Sequence, residues 1–177
     1  MTIMNVRGSR RRRRSDQTER NAAAFEARYL DYQYIFVEFL LDHLIDVGRA
    51  FKGDFQAMLV LAVIGQTRLH AIRTAAENGY GLQFIAPENE SSNASRISDL
   101  TGIPRQTVRR KLASLAQLGW IQRNADGSYR LVSSGGETLA RRDLSETDRR
   151  AINRVAQLFT DLERLIEDHE TLITKRQ

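Results

Sequence analysis

A turn glycine between two short segments of apolar pattern constrains the fold of this chain more than any other feature. Ile97 and Leu100 give the first segment an apolar face, and Gly102 supplies a tight turn after it. Ile103 is then expected in the core, and Pro104 stands where its fixed φ suits the first turn of a new helix. The pattern predicts a helix-turn-helix.

The second helix of this motif is predicted to have one buried face and one basic face. Val108, Leu112 and Leu115 recur at spacings of four and three, so they share one side of a helix. Arginine and glutamine on the opposite side can form two hydrogen bonds each with the edge of a guanine or an adenine. The sequence therefore nominates Arg105, Gln106, Arg109 and Arg110 for base contact, and Thr107 and Lys111 for phosphate contact.

A β-hairpin wing is predicted directly after the second helix. Asp126 and Gly127 lie between two extended segments, and this dipeptide favours a two-residue hairpin turn. Arg123 and Arg130 fall on the two arms of the hairpin. A wing beside a recognition helix commonly reaches the DNA backbone or the minor groove, which suits arginine.

Positive charge is concentrated in two stretches of the sequence. Residues 93–132 hold seven Lys and Arg against two Asp, and residues 1–20 hold seven Arg against two acidic residues. The formal net charge of the whole chain is +5, so the remaining residues are acidic on balance. Both basic stretches are candidates for contact with a polyanion, which favours DNA as the partner. Two other interpretations stay open: the helix-turn-helix is a packing motif only, or the winged fold binds a protein.

The composition excludes several classes of chemistry. The chain has no cysteine, which removes disulfides, thiol redox chemistry and the usual structural zinc site. The three histidines fall on different predicted helices without metal-ligand spacing, and the sequence has no phosphate-binding glycine loop and no nucleophile elbow. We therefore expect no cofactor, no metal site and no enzymatic activity.

A cytoplasmic location is expected from the hydropathy pattern. The longest apolar run, residues 57–64, is far shorter than the roughly 18 residues that a membrane helix needs. The basic N-terminal stretch leads into no hydrophobic segment, so it is not expected to be a secretory signal.

Residues 1–17 are predicted to form a disordered arm rich in arginine. Five arginines follow one another at positions 10–14, and such a run of like charges does not pack in a core. One interpretation is that the arm captures phosphates or enters a minor groove. The other is a solvated tail with no dedicated role.

Two long amphipathic helices are predicted on either side of the winged element. Their apolar residues recur at spacings of three and four: Phe25, Tyr29, Tyr32, Phe36 and Phe39 in the first helix, and Val155, Phe159, Leu162 and Ile166 in the last. We predict that the first and last helices of two chains pack together in a homodimer, with an intramolecular bundle in a monomer as the alternative. Tyr29 and Tyr32 have a second interpretation, as residues that line an effector pocket.

The predicted fold class is mainly α with a small β-hairpin wing, a winged helix-turn-helix with long N- and C-terminal dimerisation helices. After the arm, residues 18–92 form a helical dimerisation and core region. Residues 93–133 form the winged helix-turn-helix, and residues 134–177 form the C-terminal dimerisation helices.

The order of these elements resembles the MarR family of bacterial transcriptional regulators over most of residues 20–175. The residues that carry the resemblance are Ile97-Ser98-Asp99-Leu100-Thr101-Gly102, then Thr107-Val108 leading to Leu112 and Leu115, then Leu118-Gly119-Trp120-Ile121, and finally Leu131 with Gly135. The resemblance implies a homodimer on a pseudo-palindromic operator. It also implies release by a small ligand that binds in a cleft between the dimer helices and the winged lobe.

We therefore expect a cytoplasmic, homodimeric bacterial regulator that binds double-stranded DNA at specific sequences and responds to a small-molecule effector. Two alternatives remain at this point: a winged-helix protein-interaction module, and a DNA-coating protein that uses its arginine arm without regard to sequence.

Overall fold

The computed structural model of the chain describes residues 3–81 and 85–175, without the side chains of residues 3–11, 13 and 173. Within these residues the elements follow in this order: α1 (Ile3–Ala27), α2 (Tyr29–Ala50), α3 (Phe55–Glu77), a 3-10 turn (Pro87–Glu90), α4 (Ala94–Thr101), α5 (Arg105–Gln117), β1 (Ile121–Arg123), β2 (Tyr129–Leu131), β3 (Ser133–Ser134), β4 (Glu137–Thr138), α6 (Leu139–Asp143) and α7 (Ser145–Thr174). The fold is mainly α with a small antiparallel hairpin after a helix-turn-helix, which confirms the predicted fold class.

The chain divides into two compact units. We call residues 45–149 the winged unit, and residues 1–44 together with 150–177 the helical unit. The winged unit therefore begins upstream of residue 93 and continues beyond residue 133.

The core of the winged unit forms where α3, α4 and α5 meet. Val60 and Ile64 of α3, Ile97 of α4, and Leu112 and Leu115 of α5 are fully buried and belong to one apolar cluster. Complete burial of such a side chain contributes about 1.5–3 kcal/mol to stability. The side chains of α3 thus hold the helix-turn-helix in place.

By length and composition alone, α3 could span a membrane. Its Val60 and Ile64 are instead buried in the core that α3 shares with α4 and α5. Arg68 of the same helix makes an ion pair with Glu90. Only 17% of the most apolar stretch of α3 is buried, and the helix contacts α4, α5, β2 and the 3-10 turn.

β1 and β2 form the hairpin that follows α5, with Ile121 opposite Leu131. The predicted two-residue turn is wrong, because the backbone N–H of Asn124 donates to the carbonyl of Ser128 (2.8 Å) and leaves residues 125–127 as the loop. The N–H of Gly127 donates back to Asn124, and Gly127 has a φ of +82°. A turn closed by a left-handed glycine is the usual three-residue hairpin loop.

A second, shorter hairpin follows the wing. β3 pairs with β4 around Gly135 and Gly136, and both strands are largely exposed. The next element, α6, is tied back to the end of α5, since the indole Nε1 of Trp120 donates to Asp143 Oδ2 at 2.8 Å. Trp120 itself is buried in the core of the winged unit.

The helical unit packs α2 against α7 within a single chain. Arg28 pairs with Asp168 at 3.7 Å, and Asp42 lies 4.0 Å from Arg154, so the two helices run antiparallel. Leu165 is buried at their contact. The pairing that we predicted between chains is therefore present within one chain.

The five aromatic residues nominated for dimerisation on the first helix divide into two groups. Phe25 and Tyr32 are half-buried and stack with ring centroids 5.1 Å apart, and Phe39 is also half-buried. Tyr29 and Phe36 are exposed, although Phe36 stacks on Tyr32 at 5.8 Å. The two tyrosines nominated for an effector pocket thus differ in exposure, since the ring of Tyr32 lies between two other rings while the ring of Tyr29 faces solvent.

α7 and α2 both expose apolar rows. Of the residues nominated on α7, Val155 and Phe159 are exposed, whereas Leu162 and Ile166 are half-buried. Ile152 extends the exposed row. On α2, a second exposed row that the sequence analysis did not identify comprises Leu30, Tyr34, Val37 and Leu41.

The backbone of residues 3–17 is helical, where a disordered arm was predicted; residues 1–2 of that prediction lie outside the described residues. Arginine, which fills positions 10–14, favours helix. Side-chain hydrogen bonds one turn apart add support from residue 15 onward, as between Ser15 and Glu19 and between Gln17 and Asn21.

Candidate DNA-binding surface

The buried side of α5 is the one that the sequence predicted. Val108, Leu112 and Leu115 are each at most 1% exposed, and they pack in the cluster that includes Ile97 and Ile103. This packing fixes the rotation of α5 about its own axis. The opposite side of the helix is consequently held outward.

The turn before α5 sets the direction in which that helix leaves α4. Gly102 has a φ of +71°, a left-handed conformation that glycine adopts without steric cost. The Ser98 hydroxyl donates to the carbonyl of Ile103 at 2.7 Å, and the Thr101 hydroxyl donates to the carbonyl of Ile97. The prediction that Leu100 completes the apolar face of α4 is wrong, because Leu100 is 65% exposed, whereas Ile97 and the half-buried Ala94 pack against the core.

The outward side of α5 presents the four residues nominated for base contact. Arg105, Gln106, Arg109 and Arg110 are all exposed. None of the three guanidinium groups forms an ion pair with a residue that the structure describes. They are therefore free to bind phosphates or to form paired hydrogen bonds with guanine O6 and N7.

The structure does not place Lys111 among these cations. Its ammonium lies 2.6 Å from Asp54 Oδ2, and its side chain is only 15% exposed. Asp54 also caps α3, since its Oδ1 accepts from the N–H of Ala57 at 3.0 Å. Burial acts to raise the pKa of Asp54, but the hydrogen bonds from Lys111 and Ala57 and the nearby charges of Lys111 and Arg110 outweigh it, so the pKa is lowered from the ordinary 3.8.

Lys111 therefore joins α5 to the start of α3 instead of reaching toward a phosphate. Thr107, the other residue nominated for phosphate contact, is half-buried in the first turns of α5. Local spacing in the sequence could not predict this bond, because 57 positions separate Lys111 from Asp54.

The two arginines of the wing have different surroundings. Arg123 is exposed, and a Cβ built at Gly127 would lie 3.3 Å from its Nη2, so its guanidinium lies over the hairpin loop. Arg130 is half-buried and is held by Asn124, whose Oδ1 accepts from its Nε at 3.1 Å, and by Glu90 at 3.6 Å. Arg123 is thus the freer of the two cations.

Glu90 connects the wing to the rest of the winged unit. Its carboxylate is 2.8 Å from Arg68 of α3 and 3.6 Å from Arg130, and its side chain is only 12% exposed. The backbone groups of Ser92 and Tyr129 exchange two hydrogen bonds, which adds residue 92 to the edge of the hairpin. The wing is therefore held by an ion pair and by a backbone bridge.

Hydroxyl groups fill the space beneath the hairpin loop. Ser128 Oγ donates to Asp126 Oδ1 at 2.6 Å and lies 2.9 Å from Ser91 Oγ. The bonds from the Ser128 hydroxyl and N–H lower the pKa of Asp126 from its ordinary value. The hydroxyl of the neighbouring Ser92 is hydrogen-bonded to the hydroxyl of Thr67 in α3, at 2.9 Å. Sequence reasoning missed these residues, because serines and a glutamate before α4 resemble an ordinary polar linker.

Among the residues that the structure describes, no three His, Cys, Asp or Glu side chains are grouped so that they could hold a metal ion. The features that do converge are a packed recognition helix with free guanidinium groups, a tight turn and an anchored basic wing.

These features define a winged helix-turn-helix DNA-binding transcriptional regulator, a class that is typically non-enzymatic. Residues 82–125 match the IclR helix-turn-helix domain, which accounts for 44 of the 177 residues. The match is of the IclR type, and membership of the MarR family is not confirmed. Comparisons with curated proteins and with solved structures found no match.

Proposed function

We propose that this chain is a sequence-specific regulator that works as a homodimer in the bacterial cytoplasm, each protomer inserting α5 into a major groove. The observation that carries the proposal is the division of α5 into a fully buried side and an outward side with three unpaired arginines and a glutamine. A helix in the major groove needs this arrangement, because its rotation must be fixed while its polar side chains stay free.

Each outward side chain has a defined capacity to read sequence. An arginine that grips guanine, or a glutamine that grips adenine, discriminates against the wrong base by about 1–3 kcal/mol. Arg123 on the wing is suited to a phosphate or to the narrow minor groove. Arg130 is the weaker candidate, since Glu90 neutralises it in the free protein.

The proposal is tested by selecting bound fragments from genomic DNA and measuring affinity for the enriched site over a range of salt. We expect Arg109→Ala and Arg110→Ala to weaken binding by about 1–3 kcal/mol each and to relax the preference at individual base pairs. Arg73→Ala, which removes an exposed arginine of α3, is the matched control and should change little. Equal losses of DNA affinity in all three variants would contradict the assignment of Arg109 and Arg110 to base contact. DNA binding that is absent or independent of salt would favour a protein-interaction module.

The homodimer is proposed from an uncovered apolar face of the helical unit. Ile35 and Leu158 line the same small cavity between α2 and α7, so both side chains face the seam. Because the helices run antiparallel, the next residue on each, Phe36 and Phe159, points to the same side of the pair. Ile152 and other exposed residues continue this side.

The size of this face suits a dimer. The exposed parts of Tyr29, Phe36, Leu40, Ile152, Val155 and Phe159 amount to roughly 600 Å² of apolar side chain per chain. A standard interface covers about 800 Å² per partner, and roughly two thirds of its core is apolar. A second copy supplies a matching surface by two-fold symmetry.

Two pairs of charge substitutions test which exposed face of the helical unit forms the dimer interface. Val155→Glu with Phe159→Glu should convert the dimer to a monomer in analytical ultracentrifugation. Leu30→Glu with Leu41→Glu is the matched control on the second exposed row of α2, and it should leave the dimer intact. The opposite pattern would assign the interface to that second row.

We also propose that the regulator responds to a ligand, at a cavity of about 700 Å³ in the winged unit. Thr74 and His70 of α3, Asn78, Tyr80 and Asn89 line it together with apolar side chains, which suits an uncharged aromatic molecule with an amide or hydroxyl group. Asn89 precedes Glu90, so a ligand on this wall would act on the residue that holds Arg130.

Saturation-transfer NMR with benzamide as the probe tests the cavity. Binding should be lost in Ala71→Trp, which fills the space, and should persist in Glu90→Gln, in which only the link to the wing is weakened. Binding that survives Ala71→Trp would place the ligand elsewhere.

A further inference from the structure

The first half of α1 carries a concentration of positive charge, and Arg12 and Arg14, the two arginines of the run with described side chains, form no ion pair with a described residue. Five arginines occupy positions 10–14 of a helix that runs from Ile3 to Ala27. At 100° per residue, five consecutive positions cover a full turn of a helix within about 6 Å of its length. Those whose side chains are described, Arg12 and Arg14, are exposed.

This charge works against the helix that carries it. Arginines three and four positions apart repel one another on a helix surface. The carboxylates of Asp16 and Glu19 come only after the run, and Glu19 is already hydrogen-bonded to Ser15. An external anion that neutralised the run would therefore stabilise the helix as well as bind it.

A membrane surface is a poor fit for this segment. An interfacial helix needs an apolar face beside its basic face. Between Val6 and Phe25 the chain has no apolar side chain larger than alanine. Duplex DNA fits better, because it presents one phosphate about every 1.7 Å of its axis and needs no apolar anchor.

We propose that the arginine run of α1 is a second DNA-binding element, which grips the phosphates of any duplex without reading its sequence. The element does not depend on α5 recognising a particular site. Since one side of a helix faces the duplex at a time, two or three of the five guanidinium groups contact phosphates together.

The test is a comparison of two full-length variants on a mixed-sequence 30-bp duplex. Replacing residues 10–14 by glutamine keeps helix propensity and removes the charge, while replacing them by lysine keeps both. Each phosphate contact contributes about 0.9 to the slope of log K against log salt. We expect the glutamine variant to lower that slope by about 2–3 and to bind about 100-fold more weakly at 100 mM salt. The lysine variant should stay close to wild type.

Two further readouts separate this proposal from that for α5. With the selected site, the glutamine variant should keep the wild-type ratio of specific to non-specific affinity, whereas Arg109→Ala should reduce it. An unchanged salt slope in the glutamine variant would overturn the proposal for α1 and leave the role of α5 intact. Charge-dependent binding to phosphatidylserine vesicles, without any effect on the duplex, would also overturn it in favour of a membrane.

Discussion

Removing the charge of Lys111 should lower the stability of the fold, whereas removing the charge of Arg109, on the same helix α5, should weaken DNA binding. The Lys111 ammonium lies 2.6 Å from Asp54, and only 15% of its side chain is exposed. Arg109 is exposed and has no ion-pair partner among the described residues. The sequence predicted that both would contact DNA, Arg109 at a base and Lys111 at a phosphate, because both are cations on the same short helix.

The cost of losing the Lys111 charge follows from its surroundings. A hydrogen bond between charged groups contributes about 1.5–3 kcal/mol when buried, whereas a fully exposed pair contributes less than about 1 kcal/mol. Asp54 is 35% exposed, so solvent screens part of the interaction. We expect Lys111→Met, which retains the apolar stem, to lower the free energy of unfolding by about 1–1.5 kcal/mol.

Urea denaturation and a salt series of anisotropy titrations measure the two effects separately. Lys111→Met should shift the denaturation midpoint and leave the salt slope of DNA binding unchanged. Arg109→Ala should leave the midpoint unchanged and lower the slope by about 0.9. A double-mutant cycle with Asp54→Asn should show coupling with Lys111. If Lys111→Met lowered the slope without destabilising the protein, the pairing with Asp54 would not describe the protein in solution.

Three further predictions concern the stability of the winged unit. Leu112→Ala should lower the free energy of unfolding by about 2–5 kcal/mol, since the side chain is fully buried, and urea denaturation would show it. Gly102→Ala should cost about 1–2 kcal/mol because of the φ of +71°, while Gly65→Ala in the middle of α3 is the control and should be neutral or stabilising. The folded-state pKa of Asp54 is lowered from 3.8, so its contribution is present above about pH 4 and is lost as the pH falls further. The difference in stability between wild type and Asp54→Asn should accordingly vanish in acid. If that difference instead increased as the pH fell, the pKa of Asp54 would have to be raised in the folded state.

Local patterns predicted the helix-turn-helix because its constraints are local. The spacing of Val108, Leu112 and Leu115 identified the buried face of α5, and Gly102 was identified as the turn. The loop of the hairpin was predicted one residue too short, because an Asp-Gly pair is compatible with both loop lengths and only the pairing of Asn124 with Ser128 decides between them.

Features that depend on distant partners cannot be read from local spacing. A heptad pattern shows that a helix has an apolar side, but it does not say whether the covering helix belongs to the same chain. The pairing of Arg28 with Asp168 is an example, since 140 positions separate the two residues. For the same reason, the sequence predicted a phosphate contact for Lys111 and gave no indication that Glu90 binds Arg68 and Arg130.

The division of α5 also affects how this protein can be altered. One set of side chains on this helix packs in the core and another set is exposed to solvent. Residues 105, 106, 109 and 110 can therefore be replaced without disturbing the packing of the core. A library randomised at these four codons should therefore yield folded proteins in high proportion. Variants that prefer other operator sequences could then be selected on an unchanged fold.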